Sequence, residues 1–364
     1  MKAKYFIETL NSKGFGPYMG VPCSFLKPAI NFILDNKDTY DYYSTANEGE
    51  AMGLAAGFSL SNKIPVVMVQ NSGLGNIINP LTSLNLLFKL KTLIVVTLRG
   101  EIGIPDEPQH EIMGAVTEDL LKALGVKYEF LDENQYEEQV ERLSDYINTM
   151  DTSVVLLLKK GFLESYKYED GYSSGTIQRV AAIETISNSL KGDEVIISTT
   201  GKISRELYYY GKESENNFYM VGSMGCAASI ALGVSLSNED KKIIVLDGDG
   251  AVLMKMGSLS TVGKYKPNNF MHIVLDNEAY DSTGGQRCNS EITKIDEVAK
   301  ACGYDRTYRI NTLDDLEKTI KFENEKKGTI LILIKVLKGS AKDLGRPKET
   351  CEFYKERFMN FLGC

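Results

Sequence analysis

The sequence predicts an α/β protein of two related domains, each a doubly wound and mostly parallel sheet. Three observations predict it. Short apolar runs alternate with helix-like segments along nearly the whole chain, which is the pattern of βα units. The alternation lapses once, over the polar, turn-rich stretch KKGFLESYKYEDGYSSGT from Lys159 to Thr176. The two halves also resemble each other: AAGFSLSN (Ala55–Asn62) reappears as ALGVSLSN (Ala231–Asn238). Each copy runs into a strand and a glycine turn, so Gly57 aligns with Gly233 and Gly73 with Gly250. The expected division is residues 1–165, a linker over 166–176 and residues 177–364, with no third domain between.

In the first half, helix, short strand and helix precede a strand at Tyr40–Thr45, rich in aromatic and β-forming residues. Asn47-Glu48-Gly49-Glu50 then opens a helix of small residues, AMGLAAGFSL, suited to close packing. Pro65–Gln70 reads as a buried strand ending in a glycine-containing loop, Asn71–Asn76. Leu93–Leu98 reads as another, ending at Arg99-Gly100. The segment EIGIPDEPQH carries two prolines and is expected to be loop throughout. A helix over Thr117–Leu124, a strand near Tyr128–Leu131, an acidic helix and the strand Val154–Leu158 complete this half.

The second half repeats the alternation. A helix covers Ile177–Leu190 and a strand Val195–Ser198, and the turn Thr199-Thr200-Gly201 leads to another helix. Met220–Gly225 opens a second small-residue helix. Two apolar strands follow, Ile243–Leu246 and Met271–Leu275, separated by a helical stretch. Helices near Ile295–Cys302 and Leu313–Glu325, a strand Ile330–Val336 and a terminal helix CEFYKERFMNFL end the chain.

Composition narrows the function classes. A formal charge of −8 implies no broad basic surface, which argues against nucleic-acid binding. The six cysteines show no CxxC pair and no regular spacing, as in a cytosolic protein with reduced thiols, without a zinc site or disulfide framework. The N-terminus MKAKYFIETL makes a poor signal peptide. No apolar run approaches the roughly 20 residues a membrane span needs. The expectation is a soluble, cytoplasmic protein.

The chemistry concentrates where the two apolar strands of the second half end. One ends in Asp247-Gly248-Asp249-Gly250 and the other in Asp276-Asn277. In a parallel sheet both strand ends open onto the same edge, where ligands of open α/β sheets bind. Asp249 and Asn277 would offer hard oxygen ligands to Mg²⁺, beside turns whose backbone N–H groups cradle phosphate. The stretch between Gly250 and Asn277 has room for a crossover helix and a return strand.

GDG followed at that distance by asparagine resembles the signature of thiamine-diphosphate-dependent 2-oxo acid decarboxylases. The resemblance covers nearly the whole chain, with a pyrimidine-binding domain first and a diphosphate-binding domain second. Four further runs are similar to the branch acting on phosphonopyruvate: NSGLGNIINPLTSL (Asn71–Leu84), RGEIGIPDEPQH (Arg99–His110), GDGAVLMKMGSL (Gly248–Leu259) and DSTGGQ (Asp281–Gln286). This implies decarboxylation of 3-phosphonopyruvate to phosphonoacetaldehyde and CO₂ through the cofactor's ylide and an enamine, in phosphonate biosynthesis. It also implies the cofactors thiamine diphosphate and Mg²⁺. The metal would be bound by the side chains of Asp249 and Asn277 and the carbonyl of Ala279. Backbone around Gly248, Gly250, Ala251 and Tyr280, and the Thr200-Gly201 turn, would hold the diphosphate.

By the same resemblance, Met224 wedges between the two cofactor rings, while the Gly222 carbonyl and Met224 N–H meet the aminopyrimidine. Glu48 matches the glutamate that hydrogen-bonds the far pyrimidine nitrogen and starts proton removal from the thiazolium carbon. Glu50 is read as an ordinary helix-start acid. Because Glu48 and Asp249 belong to different domains, the resemblance implies a homo-oligomer, at least a dimer, with sites between subunits.

For the anionic substrate, Arg99 is the leading phosphonate candidate. His110 is a candidate proton shuttle or donor. Asn71, Ser72 and Gln109 are candidate polar contacts, with Arg287 behind them, and His272 reads as structural inside its strand. Two alternatives accompany this reading. One is sulfopyruvate decarboxylase or another decarboxylase of a small anionic 2-oxo acid; sulfopyruvate decarboxylase usually divides the domains between subunits, so a single chain favours the phosphonate enzyme. A silent thiamine-diphosphate-binding protein would not need Glu48, Asp249 and Asn277 together. A NAD-dependent dehydrogenase is disfavoured, since no GxGxxG follows an early strand.

Overall fold

The computed structural model describes residues 1–172, 175–211, 214–341 and 344–363. Ser173 and Ser174 of the expected linker, and Cys364, lie outside the described residues. The chain divides into two compact units, Met1–Gly171 and Tyr172–Cys364. Among the described residues no helix is long and apolar enough to cross a membrane. Cys23, Cys226, Cys288, Cys302 and Cys351 are free thiols.

The first unit runs α1 (Ala3–Ser12), β1 (Phe15–Gly20), α2 (Lys27–Asp35), β2 (Tyr42–Ser44), α3 (Glu48–Leu60) and β3 (Ile64–Gln70). It continues with α4 (Asn71–Pro80), a π-helical turn over Leu81–Leu86, β4 (Thr92–Thr97), α5 (Pro108–Ala123), β5 (Tyr128–Phe130), α6 (Tyr136–Met150) and β6 (Ser153–Leu158). The sheet order is β2-β1-β3-β4-β6-β5 and every pairing is parallel. Helices cover both faces, which is why the central strands are apolar without alternation. Val66 and Met68 of β3 pack with Phe6, Leu10, Ile30 and Leu143, while Val67 and Val69 face Ala51, Ala55, Leu74 and Leu121. Each such buried side chain contributes about 1.5–3 kcal/mol.

The second unit runs α7 (Arg179–Ser189), β7 (Val195–Ser198), α8 (Lys202–Tyr210), β8 (Asn217–Tyr219), α9 (Ala227–Ser237) and β9 (Ile243–Gly248). Next come α10 (Asp249–Met254), α11 (Gly257–Tyr265), β10 (Asn269–Asp276) and a hairpin of β11 (Ala279–Tyr280) and β12 (Gln286–Arg287). The unit ends with α12 (Ile295–Ala301), β13 (Arg306–Ile310), α13 (Leu313–Asn324), β14 (Gly328–Lys335) and α14 (Cys351–Leu362). Its sheet, ordered β13-β14-β10-β9-β7-β8, is also wholly parallel. Ranked by position along the chain, these six strands repeat the order of the first sheet. The short sequence repeat therefore belongs to a repeat of the whole topology: α3 leads into β3 as α9 leads into β9. The buried alanines of both helices, Ala51 and Ala55 in one and Ala227, Ala228 and Ala231 in the other, bring each helix close to its sheet.

Three expectations needed correction. Asn71–Asn76 is not a loop; α4 begins at Asn71, directly after β3, and Leu74 and Ile77 bury into the core. EIGIPDEPQH is loop only to Glu107, because Pro108 occupies the first helical position of α5, where a missing N–H costs nothing. The strands β8, β11, β12 and β13 were not expected. β8 and the hairpin strands have three residues or fewer, and β13 reads RTYRI, too polar to stand out. Of the stretch expected as linker, Tyr166 bonds the first unit through its carbonyl to Asn31. Ile177 bridges to Val336 in the second unit.

Candidate active site

In the second unit, pairing of β9 with β10 sets Leu275 opposite Gly248, so the turns that follow emerge side by side. Asp249 is the first residue of α10 and is buried, with the Ser290 hydroxyl donating to its Oδ2 at 2.6 Å. Burial, and then the neighbouring Asp276 carboxylate, push its pKa up to about 7. No salt bridge reaches it among the described residues, whereas Asp276 accepts from Lys335 Nζ at 2.6 Å. A buried carboxylate beside another acid and without its own cation is a donor set that suits a divalent metal.

Asn277 lies beside it, buried, with Nδ2 donating to Asp281 Oδ2 at 2.7 Å and Oδ1 accepting from the Ala279 N–H at 3.1 Å. The intervening Glu278 takes a left-handed φ of 56°. Its carboxylate accepts from Lys335 Nζ at 2.5 Å and from the Tyr172 hydroxyl. The bend is thus made at Glu278, and Ala279 opens β11 with ordinary negative φ, which alanine tolerates.

Glycines show how closely the neighbouring turns approach. A Cβ on Gly250 would lie 2.9 Å from the Tyr280 ring and 3.4 Å from Met224 Cε. One on Gly225 would lie 2.9 Å from the Ala251 carbonyl oxygen, and one on Gly201 3.0 Å from Ser282 Oγ. Thr200 Oγ1 donates to the Val221 carbonyl at 2.6 Å, tying the first of these turns to the Gly222–Gly225 turn. Thr200, Gly201, Gly222, Met224, Gly248, Asp249, Gly250, Ala251, Asn277, Ala279 and Tyr280 therefore gather at one sheet edge. Met224 is half-buried.

In the first unit, Glu48 is buried at the start of α3 and accepts from Asn76 Nδ2 at 2.8 Å. A Cβ on Gly73 would lie 2.7 Å from both Cγ and Oε1 of Glu48, so α4 can approach only with glycine there. Glu50 is exposed and accepts from the Ala46 N–H at 2.9 Å, while Asn47 caps the helix by accepting from the Glu50 N–H at 3.0 Å. This is a helix-start role.

Asn71 joins the neighbouring strand ends. Its Nδ2 donates to the Arg99 carbonyl at 2.8 Å and to Thr117 Oγ1 at 3.0 Å, and its Oδ1 accepts from the Arg99 N–H at 3.2 Å. The amide is thus spent on holding Arg99. Arg99 pairs in fork fashion with Asp106, with Nε to Oδ2 at 2.7 Å, and its guanidinium lies 4.7 Å from the centre of the Phe25 ring. Burial alone would raise the Asp106 carboxyl. The Arg99 guanidinium and the amides of Glu107 and Gly100 outweigh it and hold the group well below the usual carboxylate range.

His110 is buried in the first turn of α5, and its Nδ1 has no hydrogen-bond partner among the described residues. Burial, and then the Arg99 charge, lower its pKa against the opposing pull of Asp106. Ser72 and Gln109 are half-buried in the first turns of α4 and α5. Arg287 instead stacks 4.2 Å over Tyr172 and pairs with Glu291 at 3.0 Å. His272 is fully buried within β10, 3.4 Å from both Asp247 Oδ2 and the Tyr304 hydroxyl.

Sequence reasoning passed over Asn76, Asp106, Asp281 and Ser290. The first three lay inside runs already singled out as motifs, whereas Ser290 sits far along the chain from Asp249 with no local signal.

Comparison with known proteins agrees in both halves. Residues 2–115 match the family described as thiamine pyrophosphate enzyme, N-terminal TPP binding domain; residues 199–334 match its C-terminal TPP binding domain. The chain is 37% identical to the phosphonopyruvate decarboxylase of Streptomyces viridochromogenes, covering 98% of this chain and 94% of that protein. It is 31% identical to the sulfopyruvate decarboxylase of Methanosarcina acetivorans over 84% of each. It is 45% identical to sulfopyruvate decarboxylase subunit beta of Methanocaldococcus jannaschii over 43% of this chain and 82% of that subunit.

Proposed function

The chain belongs to the thiamine pyrophosphate enzymes, alongside the phosphonopyruvate decarboxylases, and we propose that it decarboxylates 3-phosphonopyruvate to phosphonoacetaldehyde and CO₂. The observation that carries this is end-to-end likeness: 37% identity over 98% of the chain. Chain continuity is not the discriminator that the sequence reading took it to be, because the sulfopyruvate decarboxylase of Methanosarcina acetivorans aligns over 84% of both chains. Identity and coverage favour the phosphonate substrate instead.

Thiamine diphosphate supplies a carbon nucleophile for the 2-oxo group and a sink for the electrons left by CO₂. The protein's part is to hold, orient and move protons. We assign Mg²⁺ to the side chains of Asp249 and Asn277 and the carbonyl of Ala279, supported by the buried Asp249 carboxylate, which pairs with no cation among the described residues. The backbone of Gly248, Gly250, Ala251 and Tyr280 and the Thr200-Gly201 turn is assigned to the diphosphate. Gly222 and Met224 are assigned to the aminopyrimidine and the ring wedge, a role that the half-buried Met224 leaves room for. Glu48, held by Asn76 and enclosed by Gly73, is assigned the hydrogen bond to the pyrimidine nitrogen.

For the substrate, Arg99 is assigned to the phosphonate through the guanidinium N–H donors that its fork with Asp106 leaves over. Asn71 positions Arg99 and makes no contact of its own in this assignment. His110, with burial favouring its neutral form and a free Nδ1, is assigned proton exchange with the substrate; Ser72 and Gln109 are assigned polar contacts. Since Glu48 and Asp249 sit on separate units, a complete site is assigned to two copies of the chain, at least a dimer.

The test is product formation by purified protein given phosphonopyruvate, thiamine diphosphate and Mg²⁺, followed by ³¹P spectroscopy. Phosphonoacetaldehyde should appear only with both cofactors present, and its absence under saturating cofactor would refute the assignment.

A further inference from the structure

The amide of Asn277 has two ends of opposite character, and only its oxygen serves a cation. Which end faces the metal is settled by what holds the other. Asp281, four residues on, accepts from Asn277 Nδ2 at 2.7 Å, and an ionised carboxylate has acceptors only. Asp281 is itself fixed. Arg179 Nη1 donates to its Oδ2 at 2.7 Å, and the Gly339 N–H lies 3.1 Å from its Oδ1. Arg179 also donates to Glu206, from Nε at 2.6 Å and from Nη2 at 3.0 Å, and the Ala341 N–H approaches Glu206 Oε1 at 3.4 Å. Arg179 is 5% exposed and Glu206 not at all.

Three charged groups buried in this way stabilise a fold weakly if at all, because desolvation offsets their attraction. The triad also carries one net negative charge, on the side of the Asn277 amide away from its oxygen. We infer that Asp281, clamped by Arg179 and Glu206, is a positioning residue that orients the Asn277 amide for Mg²⁺. It links metal affinity to the segment after β14, whose Gly339 and Ala341 amides close the network. The inference rests on Asn277 being a metal ligand, as assigned above.

The test uses the full chain with thiamine diphosphate and Mn²⁺ as the probe metal, read by the electron paramagnetic resonance of free Mn²⁺. Partners that orient a ligand typically set about 10–100-fold of metal affinity. Asp281→Ala should therefore weaken Mn²⁺ binding about 10-fold or more, with turnover restored at saturating metal. Asp281→Asn, which keeps an acceptor oxygen for the amide but not the charge, should fall between the two. A merely structural role would lower thermal stability and leave the Mn²⁺ dissociation constant unchanged. Should Asp281→Ala not fold, Asp281→Asn decides alone, and unaltered Mn²⁺ affinity in it overturns the inference. Asn277→Ala is measured in parallel. If it weakens the metal and Asp281→Ala does not, only the positioning role falls; if neither does, the metal assignment falls as well.

Discussion

Asp249 pays for its place in the metal-free protein by keeping a proton. Its folded pKa is pushed up to about 7 from an ordinary value near 4, so between those limits the folded state binds more protons than the unfolded chain. Stability should therefore fall as pH rises through that window and level off above about 7. Asp249→Asn removes the effect. At pH 8 the metal-free variant should be more stable than wild type by about 4 kcal/mol, with the difference vanishing towards pH 4. Denaturant unfolding of both proteins across this range measures it, and Mg²⁺-supported turnover should be lost in the variant. The aspartate itself was legible in the sequence from its glycine turn. Its partner Ser290 was not, nor was the pairing of the neighbouring Asp276 with Lys335, since these contacts are made by the folded sheet edge and not by neighbours in the chain.

At the scale of the element, the instructive cases are α4 and α5. NSGLGN reads as a loop because glycine weakens helices, yet α4 begins there. The bare face at Gly73 admits Glu48, and Asn71 clamps the first turn to Arg99, so tertiary contacts override local propensity. In α5 the glycine that matters is Gly114, where a Cβ would overlap the Gly100 carbonyl and come 2.8 Å from that of Arg99. Gly114→Ala should push α5 off the Arg99 loop, at a cost of about 1–3 kcal/mol in stability. Steady-state kinetics should show KM for phosphonopyruvate raised about 10-fold or more, because a misplaced binding group weakens substrate positioning. Affinity for thiamine diphosphate should hold, since the atoms a Gly114 side chain would meet, in Gly100 and Arg99, belong to no residue assigned to the cofactor. The regular central elements were legible by contrast, because β3, β4, β9 and β10 are apolar runs long enough to leave no second reading.

The whole chain is two copies of one topology that have taken different tasks. The matching helices α3 and α9 announced the repeat, and the identical strand orders extend it to both sheets. In the proposed division, the second unit anchors the cofactor through Asp249 and the first activates it through Glu48. If complete sites draw on two copies, Glu48→Gln and Asp249→Asn should each be nearly inactive alone. Co-expressed, they should recover up to about a quarter of wild-type activity, since half the dimers are mixed and each mixed dimer holds one intact site. Sites built within one copy would recover none.

Substrate choice was the least legible feature. It depends on how Arg99, His110 and their neighbours fit a phosphonate against a sulfonate, which no spacing in the sequence encodes. The ratio of kcat/KM for phosphonopyruvate to that for sulfopyruvate, measured on the full chain with saturating thiamine diphosphate and Mg²⁺, tests the assignment most directly. A ratio of about 100 or more is predicted, the scale on which a pocket separates substrates of nearly equal shape. A ratio below one would contradict it and place the enzyme with the sulfopyruvate decarboxylases.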